Sequence, residues 1–321
     1  MTDTRMPGGE ITARERFDLV DSNETPWRIR ARRTRNTFAN AWSELRKSRT
    51  ATIGAVMIAC LLVVVVFAQS LATHDPIKSN YRERVAPISA EHIMGTDKFG
   101  RDIYSRVIIG GQRTILISVA AVVFGLAIGI PIGICSGFYG GRVDSIVMRI
   151  VDGFLAFPGL LLYLLIVTVA REWKLYGFWN DLILVLALGL AFWPEVARLS
   201  RSTALVEAKK EYVEAARVMG ERSFLIAMTQ ILPNCISPLI VNATVRLGYM
   251  ILIIAALSYL GLGTAPPTPD WGSDLRAAQD HMETHPMIAV FPGLAICFSV
   301  LAFNLFGDGL RDILDPRLSE R

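Results

Sequence analysis

Two stretches of this chain, residues 51–73 and residues 114–141, carry no charged residue at all. The first is 23 residues long. As a helix rising ~1.5 Å per residue it spans more than the ~30 Å hydrocarbon core of a bilayer. In hydrocarbon every backbone N–H and C=O must be satisfied within the segment, so the feature dictates a helix. Four more apolar segments follow, with any charges mostly near their ends. They are residues 145–170, with Arg149 and Asp152; 182–199, with Glu195 and Arg198; 236–262, with Arg246 deeper inside; and 287–307. The expected fold class is all-α, a polytopic membrane protein with six transmembrane helices. A composition of 52% hydrophobic residues agrees, being more apolar than ordinary soluble domains.

The organisation that follows is a tail at 1–50, a first transmembrane helix at 51–73, a loop at 74–113, a core of five helices at 114–307 and a tail at 308–321. The first 50 residues hold 11 Lys/Arg, and Phe38, Trp42 and Leu45 recur among them at helical spacing. That pattern predicts an amphipathic helix lying on the membrane surface, with a disordered basic tail as the alternative. A cleavable signal has a short basic head, so the first span is expected to be a retained anchor. Placing the N-terminus in the cytoplasm, and counting the tail from Arg28, puts 18 Lys/Arg on that side and 10 on the other. By the positive-inside rule both termini are then cytoplasmic and the loop 74–113 is extracytoplasmic. Cys60, Cys135, Cys235 and Cys297 are scattered through apolar runs, with none of the pairing that a metal or disulfide framework needs.

Gly125, Gly129, Gly133, Gly137 and Gly141 recur every four residues, forming a slowly drifting ridge on which another helix can approach closely. The ridge is either static packing or a sliding surface, and Pro131 within it is a candidate kink. Arg149/Asp152 and Glu195/Arg198 are each spaced i, i+3 and can pair on one helix face. They either anchor helix ends or line a polar pathway. Arg246 is the single best candidate for a pathway residue.

Several chemistries are excluded. No Gly-Lys dipeptide occurs, so no phosphate-binding loop of the form G-x-x-x-x-G-K-[ST] exists, and "IIGGQR" (108–113) does not replace it. His281, Glu283 and His285 in "HMETH" lack the four-residue histidine spacing of a helical zinc site, so no metal is assigned there. No Gly-x-Ser-x-Gly appears, and no catalytic set is evident.

The charged stretch "KKEYVEAARVMGERSFLIAMTQILPN" (209–234) stands between two apolar segments. Ser202 or Thr203 can cap a helix running through Met219, with Tyr212, Ala215, Ala216 and Met219 on one face. Gly220 ends it. A second helix is expected over 223–232, ended by Pro233. The product is a helix–turn–helix with a small-residue face, which either suits insertion into a groove on another protein or is a surface loop lying on the membrane.

"EAARVMG" followed by "ILP" resembles the EAA loop of ABC importer permeases, E-A-A-x3-G-x9-I-x-L-P. Glu214, Ala215, Ala216, Gly220, Leu232 and Pro233 match it, and Gln230 stands where the pattern has isoleucine. "MGTDKFGRDIYSRV" (94–107), "LSYLGLGTAPPTPDWG" (257–272) and "LAFNLFGDGLRDILDPR" (301–317) are similar to the dipeptide/oligopeptide class of these permeases. The resemblance implies a type I importer permease fold in a bacterial inner membrane, with the coupling loop at 200–235. It implies a second, paralogous permease, two ATPase subunits that hold ATP and Mg, an extracytoplasmic solute-binding protein, and surrounding lipid, with no nucleic acid. The chain itself would hold no cofactor and have no ATPase site. Peptides are the expected cargo; the same class also carries nickel complexes, glutathione, opines and oligosaccharides. A secondary transporter or an intramembrane enzyme is the remote alternative.

Overall fold

The computed structural model describes residues 48–172, 178–264 and 266–314. The surface helix expected within residues 1–50 and most of the tail 308–321 lie outside them. The helices are α1 (Arg49–Leu71), α2 (Ile103–Tyr139), α3 (Gly141–Leu155), α4 (Gly159–Arg171), α5 (Phe178–Glu207), α6 (Glu211–Val218), α7 (Ser223–Ile226), α8 (Leu232–Tyr259), α9 (Trp271–Ala278) and α10 (Met287–Leu314). Among the described residues there is no β-strand. Among the described residues five helices are long and apolar enough to cross a membrane, and the bent pair α3–α4 makes up to six.

Local chemistry sets several helix starts. The Ser48 hydroxyl accepts from the Ala51 N–H, the Asp102 carboxylate from the Ser105 N–H, and the Asp270 carboxylate from the Gly272 and Ser273 N–H groups. Each satisfies donors that an uncapped helix leaves open, worth about 1 kcal/mol per cap.

The glycine ridge of α2 is a packing seam against α5. A Cβ on Gly125 would lie 2.6 Å from the Phe192 ring, one on Gly129 2.6 Å from Val196, one on Gly133 2.3 Å from the Ala197 carbonyl, and one on Gly137 2.7 Å from the Arg201 carbonyl. Only hydrogen fits there, which brings the two backbones close enough for dispersion contacts that side chains would prevent. Gly141 does not belong to the ridge: it begins α3 at φ +57, a Cβ added there would meet nothing within 4 Å, and the residue serves the turn. α2 runs through Pro131 as one helix. α1 rests on α10 in the same manner, Gly54 on the backbone of Phe306 and Gly309 on Ala51.

Element limits depart from expectation in instructive ways. The first span is Arg49–Leu71, and α2 begins at Ile103, so the loop expected over 74–113 ends at Asp102. The third segment is not one helix over 145–170. α3 and α4 meet at an 81° bend around Pro158. A proline pushes the residue before it out of the helical region, and Phe157 falls at the break. The fourth helix extends well beyond 182–199 at both ends. Thr73 at the end of α1 meets Ser105 at the start of α2, Gly309 of α10 lies on Ala51 of α1, and Arg217 of α6 lies over Phe138 of α2, so the Ser48 end of α1, the Leu314 end of α10, the end of α2 and the turn at Gly220 share one side of the bundle.

Candidate functional site

The projecting stretch between α5 and α8 is built as a stiff bracket. α5 continues to Glu207, so Ser202 and Thr203 lie inside it and their hydroxyls donate to the Leu199 carbonyl. They are not caps. The cap position falls to Lys210, whose side chain makes no capping hydrogen bond to the helix N–H groups. Glu211 and Glu214 sit in the first turn of α6, where negative charge suits the helix dipole.

At the other end of α6 the Gly220 N–H donates to the Arg217 carbonyl at 3.0 Å, and the Glu221 N–H to the Ala216 carbonyl at 3.1 Å. This paired arrangement requires a left-handed residue between them, and Gly220 supplies it at φ +79. Side chains then lock the bracket. Lys210 Nζ and the Tyr212 hydroxyl both donate to the Glu207 carboxylate, at 2.6 and 2.7 Å. Asn234 Nδ2 donates to the Tyr212 oxygen at 3.2 Å and to the Gln230 carbonyl at 2.6 Å. Burial, and then the Glu207 carboxylate, push the Tyr212 phenol up to about 12, so it remains a donor at any physiological pH. Gln230, the departure from the family pattern, has a defined job: its Nε2 donates to Glu221 at 2.7 Å, tying the Gly220 turn to the second arm.

That second arm is not the helix 223–232 ended by a proline. α7 passes through a π turn at Ala227–Ile231 directly into α8, with Pro233 in its first turn. Pro233 removes one backbone donor, yet the helix runs on through it, so it marks the start of α8 without stopping the arm. The buried face of α6 is Val213 and Ala216, packed with Ile134 and Phe138 of α2, Ala204 of α5, and Ile226 and Ile231. The small-residue face therefore divides: Ala216 belongs to the base, and Ala215 points outward with Tyr212, Glu214 and Met219. Leu232 is half-buried against the same core and Pro233 is exposed. Beyond the base the turn presents apolar surface, Val218 at 88%, Met219 at 79% and Phe224 at 64% exposure. Glu214 makes no ion pair among the described residues.

The charges near membrane depth pair between helices, not within them. Asp152 of α3 takes Arg198 of α5, Asp144 of α3 takes Arg201 of α5, and Glu195 of α5 takes Arg246 of α8. The i, i+3 pairings do not form. Arg246 also lies 5.8 Å from the Phe192 ring and 5.4 Å from the Tyr249 ring, and it is far in sequence from the Gly220 turn.

On the opposite side of the bundle is a cavity of about 770 Å³, lined by residues including Lys98, Arg101, Arg106, Asn180, Asp274 and Arg276. Three of its cations are paired: Arg101 with Asp97 at 2.6 Å, Arg106 with Asp274, and Lys98 with Asp280 at 3.2 Å. The stretch "GTDKFGRD" gains a structural role here. Asp97 accepts from the Phe99 and Arg101 N–H groups, and Asp102 starts α2. No sequence signal announced the cavity, because it forms only when the loop before α2 meets the loop after α8.

A helical bundle with this many spans, a braced turn standing out of one side and a polar cavity opening at the other, is the architecture of a multi-pass membrane protein. The chain belongs to the family of binding-protein-dependent transport system inner membrane components, the permeases of ABC importers, whose family model matches residues 129–320. A second model, the N-terminal transmembrane domain of oligopeptide transport permease C, matches residues 36–87. A putative peptide transport system permease protein of Brucella suis is 37% identical over 309 residues, covering 96% of this chain and 98% of that one. The glutathione transport system permease GsiD of Pectobacterium atrosepticum is 38% identical over 294 residues, covering 90% and 94%. GsiD of Escherichia coli is 39% identical over 291 residues, also covering 90% and 94%. Among solved structures, the inward-facing MetNI methionine ABC transporter matches with a TM-score of 0.52 at 21% identity, over 64% of this chain and 95% of that one. That likeness carries the fold. Family membership displaces the readings as a secondary transporter or an intramembrane enzyme.

Proposed function

We propose that the Gly220 turn is the coupling element of this permease, docking into a groove on a separate ATPase subunit and carrying its motion into the bundle. The observation that carries this reading is the contrast at the turn. Val218, Met219 and Phe224 stand nearly free, while the base beneath them is buried and cross-braced. Exposed apolar residues on a rigid mount are what a docking knob requires. A soft loop would absorb a push; this one is continuous through the π turn with the membrane helix α8, so displacement of the turn moves a span.

In this reading the Gly220 side is cytoplasmic, which puts the N-terminal cationic tail there as well. Glu214, with Ala215 beside it, offers a carboxylate to the partner. ATP and Mg reside in two ATPase subunits. A second, paralogous permease completes the pathway, and a solute-binding protein delivers cargo at the face holding the cavity. Arg246, held by Glu195, contributes a polar station on α8. Short peptides, glutathione among them, are the cargo class that the relatives favour.

Co-expression with the cognate ATPases tests the docking. Val218→Asp and Met219→Asp chains should insert into the membrane at normal levels but lose the ATPases on purification. Retention of the ATPases by both variants would overturn the reading. Uptake of labelled di- and tripeptides, with a nickel complex, an opine and an oligosaccharide as competitors, decides the cargo class.

A further inference from the structure

We propose that His74, His92 and Asp102 form a binding site for a divalent transition-metal ion of the zinc type, on the loop that joins α1 to α2. One potential ligand atom from each residue lies within 4.8 Å of the others. His92 Nδ1 is 2.9 Å from Asp102 Oδ1, and His74 Nδ1 is 3.9 Å from Asp102 Oδ2. Ligand atoms in a tetrahedral zinc site with bonds of ~2.0–2.1 Å lie about 3.4 Å apart, so a set now within 4.8 Å must contract by up to about 1.4 Å, a movement within reach of rotating the part-exposed His74 side chain. The imidazole rings are neighbours, 4.8 Å apart between centroids.

The surroundings are those of a ligand set held from behind. A histidine bound to a metal through one nitrogen usually donates its other N–H to a carboxylate or carbonyl. His92 Nε2 points away from Asp102 to the Glu83 carboxylate at 3.4 Å. A ligating carboxylate is usually fixed by hydrogen bonds of its own. Asp102 Oδ2 accepts from the Ser105 N–H at 2.8 Å and the Ser105 hydroxyl at 2.6 Å. The His74 backbone N–H donates to the same hydroxyl at 3.0 Å, which fixes the third ligand to the start of α2. His92 and Asp102 are buried while the His74 ring is 37% exposed, leaving an entry path and room for a water as fourth ligand. Thr73 Oγ1, now 3.0 Å from His74 Nδ1, has Asp102 Oδ2 at 3.5 Å as an alternative acceptor when the nitrogen is taken. The ion would displace a proton from the histidine–aspartate contact and bind the end of α1 to the first turn of α2. Two histidines and one carboxylate form a borderline-soft set that suits Zn²⁺ better than Mg²⁺ or Ca²⁺. The site is independent of the docking role of the Gly220 turn.

The test uses the full-length chain in its complex, purified without a histidine tag and stripped with chelator. Zn²⁺ is then titrated in competition with a chromophoric chelator, and Co²⁺ is added separately to report tetrahedral geometry by its visible absorption. The chain has four histidines, and the difference between variant and wild-type complexes isolates the binding that belongs to them from any by partner subunits. The wild type should bind one equivalent of Zn²⁺, and so should the His281→Ala/His285→Ala double variant. His74→Ala and His92→Ala should each lose the site, and Glu83→Gln should weaken it about tenfold. His74→Ala leaves the buried His92–Asp102 contact in place, so its loss of binding cannot be assigned to misfolding. It should also lose the rise in melting temperature that Zn²⁺ gives the wild type. No stoichiometric binding by the wild type, or full binding by His74→Ala, would overturn the proposal.

Discussion

Gly220 separates a backbone requirement from a packing requirement unusually well. Its φ is +79, and a Cβ placed on it would meet nothing within 4 Å. A side chain there therefore clashes with nothing, and its cost is the left-handed conformation alone, about 1–2 kcal/mol for an ordinary L-residue. For a β-branched residue the cost is larger still. With 1.4 kcal/mol equal to a factor of ten, Gly220→Val should lower the fraction of chains holding the docking turn by at least about 5- to 30-fold against competing turn conformations. Asparagine tolerates the left-handed region, so Gly220→Asn should keep most of the coupling and Gly220→Ala should fall between. The assay is ATP hydrolysis stimulated by loaded binding protein in reconstituted vesicles, with membrane yield as the control. A ranking Gly, Asn, Ala, Val is expected. Equal activity of Val and Gly, or equal failure of Asn and Val, would refute the reasoning, the first by showing that the conformation is not needed, the second by showing that any side chain obstructs the partner.

Three further outcomes follow from the packing and the charges. Gly133→Ala should cost about 1–3 kcal/mol, because its Cβ would sit 2.3 Å from the Ala197 carbonyl, whereas Gly153→Ala, with open space around it, should be neutral or slightly stabilising; thermal melting in detergent distinguishes them. Glu195→Gln and Arg246→Met should each impair folding yield or transport more than the double variant does, since each single change strands a charge at membrane depth. Burial pushes the Asp274 carboxyl up to about 6 although Arg106 pulls it the other way. A folded-state value above the ordinary 3.8 means that its protonation stabilises fully below about pH 4 and that this contribution is lost as pH rises through about 6. Melting should therefore be higher at pH 5 than at pH 7, and Asp274→Asn should flatten that difference.

What the sequence disclosed and what it hid follow one physical division. Features set by local composition were legible: uncharged runs gave the spans, the four-residue glycine period gave the α2–α5 seam, and Gly220 gave the turn. Features set by helices meeting were not. Residues 145–170 are apolar enough for one span, and only Pro158 hinted at the bend between α3 and α4. The i, i+3 spacing of Arg149/Asp152 and Glu195/Arg198 was real, yet partners on neighbouring helices offered better geometry, so Asp152 took Arg198 and Glu195 took Arg246. Ala216 shared a helical stripe with Ala215, but its place on the base depends on Phe138 and Ile226 arriving from elsewhere. The His74–His92–Asp102 cluster joins residues at irregular spacing and leaves no motif to find.

The docking role of the Gly220 turn is tested most directly by contact. A photoreactive amino acid is placed at Met219 or Phe224 on the turn, and at Ile88 on the opposite side, in cells expressing the whole transporter; all three positions are exposed. Illumination should yield an adduct with the ATPase subunit from Met219 and Phe224 and none from Ile88. Absence of the ATPase adduct at both turn positions, or its appearance at Ile88, would contradict the assignment of both the coupling element and the cytoplasmic face.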